Sequence, residues 1–349
     1  MNAMSSHYDQ ALATIHQYGP ATTEGFFNHS AMVIEAISSL GFERELPQWL
    51  QGEFENALTR TGIKQKITQD NWQQALSDKS RFDDWVLYFK QQFTEQGWQT
   101  SLNHWCGIFA RGFISSAAHG VIRTAHAYRA LSRLDNTIRQ QELAHALASW
   151  AVGYRQLPVQ NQPGLGKLNA QQALAKIATV PSEQQVGEGF ITAGYETIKF
   201  APNFSNQVAA INMSGDLDVV ADDITVAFAE LFIQASHSPF TTIVFAHAIT
   251  GATAAFNLLA ALDERNAREL LFRAWQAGCA LKAAFQDRPL QAFKPAQYPL
   301  KPEQLAANAI KHGDDHVIKV TEACLAAYRR NNNGTLLLAA RFIQESWLD

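Results

Sequence analysis

Apolar residues along this chain recur at intervals of three and four rather than two, the spacing that gathers them on one face of a helix. In 28–40, Met32, Ile34, Ala36, Ile37 and Leu40 form such a stripe and Gly41 supplies a C-terminal stop, so this segment is predicted to be a helix. Asp70 stands where it can cap a helix through Ala75 and Leu76, and 82–93 carries Trp85, Leu87, Tyr88 and Phe89 in a second apolar pattern. The same reading predicts helices over 101–113, 115–133, 138–153, 171–177, 190–198, 224–236, 241–262, 265–285, 302–311 and 315–330. Pro158, Pro163, Gly164 and Gly166 mark 156–168 as a loop. Pro202, Asn203, Ser205, Asn212, Ser214 and Gly215 make 200–222 a long irregular excursion. Only 241–245 is β-like, and no repeat of fixed period occurs. The expectation is an all-α fold, a single large helical domain over 1–349 with its core at about 24–330 and those two loops as insertions.

Composition supports a buried core: 47% of the 349 residues are hydrophobic and 17% charged, so apolar surface is plentiful and the charge that sustains disorder is missing. A net charge of −4 without any basic block excludes a nucleic-acid partner, whose phosphates call for clustered Lys and Arg. Cys106, Cys279 and Cys324 are few and scattered, which fits a reducing, cytoplasmic location. The polar N-terminal stretch 1–20 lacks the apolar core of an export signal. Segment 231–262 has no Asp, Glu, Lys or Arg and is long enough to span a bilayer, but Pro239, His247, Thr250, Thr253 and Asn257 interrupt it and no basic cluster flanks it. It is read as a buried core helix, and no membrane partner is expected. The expected partner is a small molecule, and the sequence leaves the oligomeric state open.

Familiar cofactor motifs fail. Neither Gly187-x-Gly189 nor Gly164-x-Gly166 completes a dinucleotide fingerprint, and Gly166-Lys167 lacks the rest of a phosphate loop. Glu142-Leu143-Ala144-His145 is an E-x-x-H, the unit by which di-iron bundles present two ligands from one helix face. The companion copy such a centre needs is absent, so the pair is expected to be exposed.

The ionisable residues on apolar faces carry the candidate chemistry. His119, Arg123 and His126 are spaced by four and three, which puts two imidazoles and a guanidinium on one side of a helix. A neighbouring cation favours neutral imidazole, suited to a general base, while the alternative is a polar seam of satisfied hydrogen bonds. His247 lies in a fully apolar stretch with Gly251 and Ala254 following on its face, which allows close packing or a cavity for a flat ligand. His316 follows Asp314-Asp315 and precedes Lys319 by one turn; the acidic pair can cap a helix or serve chemistry. His29 opens a helix after Asn28, whereas His7, His16 and His104 sit among polar neighbours and are expected at the surface.

Together these blocks resemble the questin oxidase-like family. The resemblance is carried by Asn28-His29 with Leu40-Gly41, by the run from His119 to Ala127 and by Glu142-Leu143-Ala144 with Trp150-Ala151. It continues through the run from His247 to Ala252 and Asp315-His316 to Lys319 with Glu322-Ala323. One departure is visible: where members commonly carry another histidine soon after the one matched by His29, this chain has Met32-Val33. The resemblance implies an NADPH-dependent monooxygenase performing Baeyer–Villiger-type oxygen insertion on a carbonyl-bearing aromatic or polyketide-like substrate. It implies His119, Arg123, His126, His247 and His316 as catalytic residues, with His29 and Lys319 binding substrate. Arg123 with His119 or His126 would hold the carbonyl oxygen and the other imidazole would move protons. Oxygen activation is left open among an unfamiliar flavin or NADPH site, a histidine-held metal and the substrate's own phenolate. The competing readings are a non-catalytic small-molecule-binding or scaffold protein with structural histidines, and a histidine-ligated metalloenzyme. Convergence of the five catalytic candidates on one cavity is the expectation that separates them.

Overall fold

The computed structural model describes residues 6–159, 166–291 and 301–346. Among them are sixteen α-helices and one two-stranded sheet, so the fold is all-α as its apolar periodicity requires. By internal contacts the chain divides into two compact units, Met1–Arg155 and Gln156–Asp349.

The first unit opens with α1 (His7–Ile15), β1 (Tyr18–Thr22), α2 (Ser30–Ser39), α3 (Leu46–Trp49) and β2 (Ala57–Thr59). It closes with α4 (Phe82–Gln96), α5 (Trp98–Phe109), α6 (His119–Arg133) and α7 (Thr137–Val152). In α1, Tyr8, Ala11, Leu12 and Ile15 are buried at helical spacing and Ser6 Oγ accepts from the Asp9 amide, which stabilises a helix that the polar residues of 1–20 conceal. β1 and β2 pair antiparallel, and their mostly half-buried side chains leave no alternating signal. The helix expected through Ala75 and Leu76 is only a 3-10 turn, Trp72–Ala75. Asp70 does not cap it; Asn71 Oδ1 accepts from the Thr68 amide at 2.8 Å, a local loop contact that competes with helix.

The helix expected over 115–133 begins at His119, because Ser116, Ala117 and Ala118 adopt φ of 47°, 58° and 71°. Left-handed backbone costs a non-glycine residue about 1–2 kcal/mol, so something must hold this turn. The C-terminal half of α7 does. Ser115 Oγ donates to the Trp150 carbonyl at 3.1 Å, and a Cβ added at Gly153 would come within 2.5 Å of Ser116 Oγ. Gly120 fits against Trp150 so closely that a Cβ there would lie 2.7 Å from the Trp150 Cα.

The second unit contains α8 (Ala170–Ala175), α9 (Ile191–Thr197), α10 (Phe204–Val208), α11 (Leu217–Ala235) and α12 (Pro239–Leu259). It continues through α13 (Glu264–Phe285), α14 (Pro302–His312), α15 (Asp315–Asn331) and α16 (Gly334–Ser346). Stretch 200–222 is more ordered than its proline and asparagine content suggests. It holds α10 and the first turns of α11, capped by Asp216, and Ile211 bridges to Leu168. Of the expected loop at 156–168, residues 160–165, including Pro163 and Gly164, lie outside the described residues. The β-like run 241–245 is helical, since Pro239 at the first turn and the Ser238–Thr241 capping box start α12 immediately before it. α12 is long and apolar enough to cross a membrane, with a mean hydropathy of 1.5, yet 78% of that stretch is buried inside the fold, where it packs on α11, α13 and α15.

Gly120→Ala is expected to lower the unfolding free energy by about 1–3 kcal/mol, because the α7 backbone must retreat from the new methyl group. Urea unfolding followed by circular dichroism measures it, and a loss under about 0.5 kcal/mol would mean the two helices part without cost.

Candidate functional site

His119 is the first residue of α6 and owes its orientation to the left-handed turn before it. Its Nδ1 lies against the Ser116 carbonyl. A carbonyl only accepts, so Nδ1 carries the proton and Nε2 of the neutral ring keeps its lone pair. Opposite stands His29, the residue preceding α2, with Nε2 at 2.8 Å from Nε2 of His119. His29 therefore donates to His119. Phe27 stacks on the His119 ring at 5.0 Å between centroids, which fixes its plane. The structure thus brings His29 and His119 together as an imidazole pair with a defined donor and acceptor.

The other two candidates on α6 go elsewhere. Arg123 is buried and gives Nε and Nη2 to the two oxygens of Glu142 on α7, at 2.7 and 2.9 Å, and Nη1 to Ser149 Oγ at 3.1 Å. His126 Nδ1 is 2.6 Å from Glu35 on α2. Glu35 is wholly buried, yet it also pairs with Arg129, with Arg133 at 2.6 Å and with the Ser39 hydroxyl at 2.7 Å. Burial pushes the Glu35 carboxyl up, but the Arg129 charge and the His126 hydrogen bond outweigh it and hold it well below the usual range. Burial opposes ionisation of Glu142 as well, and Arg123 with His16 overcomes it. Arg123 and His126 thereby anchor α6 to α7 and α2.

Two expectations of exposure fail here. Glu142 and His145 are 2% and 0% exposed, and His16 is buried with Nε2 at 2.9 Å from Glu142 Oε2. Buriedness of α7 all round, not one apolar face, turns its E-x-x-H inward. Among the described residues His145 has no hydrogen-bond partner on either ring nitrogen, and burial first, then His16, keeps it far below its ordinary pKa. His7 and His104 are exposed as expected. Glu35 was legible only as a lone charge inside the apolar stripe of 28–40.

In the second unit, His247 of α12 and His316 of α15 lie with ring centroids 6.2 Å apart. His247 Nδ1 is 2.7 Å from the Ile243 carbonyl, so the same tautomer argument leaves its Nε2 with a lone pair. Burial, assisted by Lys319, lowers its pKa to about 4. Lys319 is itself buried, which lowers its ammonium to about 8 against the opposing pull of Asp315 and Asp314. Asp314 caps α15, accepting from the amides of His316 and Val317 at 2.8 and 3.1 Å.

Glu142→Gln is expected to cost about 3–5 kcal/mol in urea unfolding, since it strands a buried guanidinium; a change below 1 kcal/mol, on the order of a surface pair, would contradict the burial argument. The pH dependence has a definite sign. His247 stays neutral in the fold while the unfolded chain takes up its proton near pH 6.5, so its contribution falls as pH drops from about 6.5 towards 4. Unfolding free energies measured across that window should decline less steeply for His247→Gln than for the parent, and equal slopes would refute the assignment.

No curated protein matches the chain. The family model described as questin oxidase-like matches residues 26–324, which span His29, the whole of α6, His247, His316 and Lys319. With most of its length covered by that model, the chain belongs to the questin oxidase-like family and so groups with oxidoreductases.

Proposed function

We infer that this protein is an oxygenase that inserts oxygen beside the carbonyl of a flat aromatic or polyketide-like substrate, with His29 and His119 as its proton-handling pair. The observation that carries the reading is the 2.8 Å contact between two Nε2 atoms, one of them locked as an acceptor by the Ser116 carbonyl. A substrate phenol that displaces His29 gives its proton to His119 Nε2, and His29 then donates to the carbonyl oxygen on which the phenolate's charge develops. The second unit has an imidazole pair of its own, His247 and His316, beside Lys319, a cation of lowered basicity that suits an enolate or phenolate. Family membership supports oxidoreduction in general.

NADPH fits this chain poorly. Among the described residues the sheet is two antiparallel strands without a crossover, and no complete glycine-rich phosphate fingerprint exists in the sequence, so the chain offers a nicotinamide no dinucleotide fold of the usual kind. A second reading, a histidine-ligated metalloenzyme, is favoured by one observation: His119 and His247 each have Nδ1 tied to a backbone carbonyl, the arrangement that aims Nε2 at a metal. His29 and His119, or His247 and His316, would hold the ion, which would supply oxygen activation.

His119→Ala is expected to lower kcat/KM by about 10²- to 10⁴-fold in oxygen-electrode assays on a panel of hydroxylated anthraquinones, with the melting temperature nearly unchanged. Parent-level turnover in both His119→Ala and His29→Ala would refute the pair's role. Elemental analysis of the same proteins separates the second reading, which requires iron or zinc in the parent and its loss in a histidine variant.

A further inference from the structure

A second histidine cluster in the first unit has no part in that reading. His16 follows the last residue of α1, and Glu142 and His145 project from one face of α7 as the E-x-x-H of the sequence. One potential ligand atom from each of the three lies within 4.8 Å of the others. The His16 and His145 rings are 4.4 Å apart between centroids, and His16 Nε2 and Glu142 Oε2 are separated by 2.9 Å, so they need part by only about 0.5 Å to stand as adjacent ligands of a tetrahedral ion with bonds of about 2.1 Å. His145 is fully buried with both ring nitrogens unpartnered. A buried imidazole in that condition forfeits its hydration without recompense, so the fold has assembled a lone pair that none of the described residues uses.

We propose that His16, Glu142 and His145 form a buried binding site for a divalent first-row transition metal, zinc foremost, that fastens the end of α1 to α7. Two imidazoles and one carboxylate are a borderline donor set suited to such ions. Loading requires His16 to give up the Nε2 proton it now donates to Glu142, which it does by shifting to the Nδ1–H tautomer. Arg123 keeps Glu142 ionised and oriented, in the manner of an outer partner to a metal-binding carboxylate. Its charge also opposes that of the ion, which sets the affinity below that of thiolate-rich zinc sites.

The test uses the full chain carrying His29→Ala, His119→Ala and His247→Ala, so that neither imidazole pair named for the proposed oxygenase or its metal-holding alternative contributes. Chelator-treated protein is titrated with cobalt(II), followed by its visible d–d absorption, and the ion is then displaced with zinc. One equivalent should bind at this cluster and raise the melting temperature. Adding His145→Leu should remove that equivalent or weaken it by at least about 100-fold while the metal-free melting temperature stays the same or rises, because an unsatisfied imidazole has been replaced by an apolar group of similar size. His16→Asn carries the same expectation should His145→Leu fail to fold. Absence of uptake in the starting protein, or uptake unchanged by the substitutions, overturns the proposal and leaves the oxygenase reading untouched.

Discussion

The first unit depends on the ion pair between Arg123 and Glu142, sealed between α6 and α7. Neither charge reaches water, so each is tolerable only while the other is in place, and the energetics turn a pair of helices into one mechanical piece. Ser149 and His16 add one hydrogen bond each, on the Arg123 side and the Glu142 side. Everything else of interest on α6 inherits its position from that join. His119 faces His29 because Arg123, one turn on, is held; His126 reaches Glu35 because the same helix cannot roll.

Glu35 applies the same physics to α2. A single carboxylate, wholly buried, is surrounded by Arg129, Arg133 and His126, all from α6, and the hydroxyl of Ser39. One carboxylate thus gathers partners from three positions, 126, 129 and 133, along one side of the partner helix. The His29 end of α2 and the His119 end of α6 are brought opposite each other as a consequence, so the imidazole contact is set by electrostatic fastening further along the two helices. The second unit achieves its imidazole pairing differently. There apolar packing around α12 does the work, and the polar groups near His247 are fixed by backbone carbonyls and a capped helix end.

Much of this was readable from the letters. The stripe in 28–40, the helix-length apolar patterns and the His119–Arg123–His126 spacing led directly to α2 and α6, and the all-α class followed from the absence of alternation. What periodicity could not convey was partner choice. Residues four and three apart do share a helix side, yet α6 is contacted by both α2 and α7, and a difference of one partner sends Arg123 to Glu142 and His126 to Glu35. The inward E-x-x-H was missed for a related reason: α7 is buried around nearly its whole circumference, so a polar pair on it has no solvent side to occupy. The sequence places the start of α6 too early because Ala117 and Ala118 are strong helix formers, and contact with α7 overrides that local preference.

The left-handed turn at 116–118 also defines where the chain tolerates change in length. It is a phase stop: the helix count restarts at His119 whatever precedes it. A residue added after His119 advances all that follows by about 100°, carrying Arg123 off Glu142 and His126 off Glu35 at a stroke. The turn is therefore the point from which the helix must keep step, and a change of length beyond it disturbs both buried carboxylates at once.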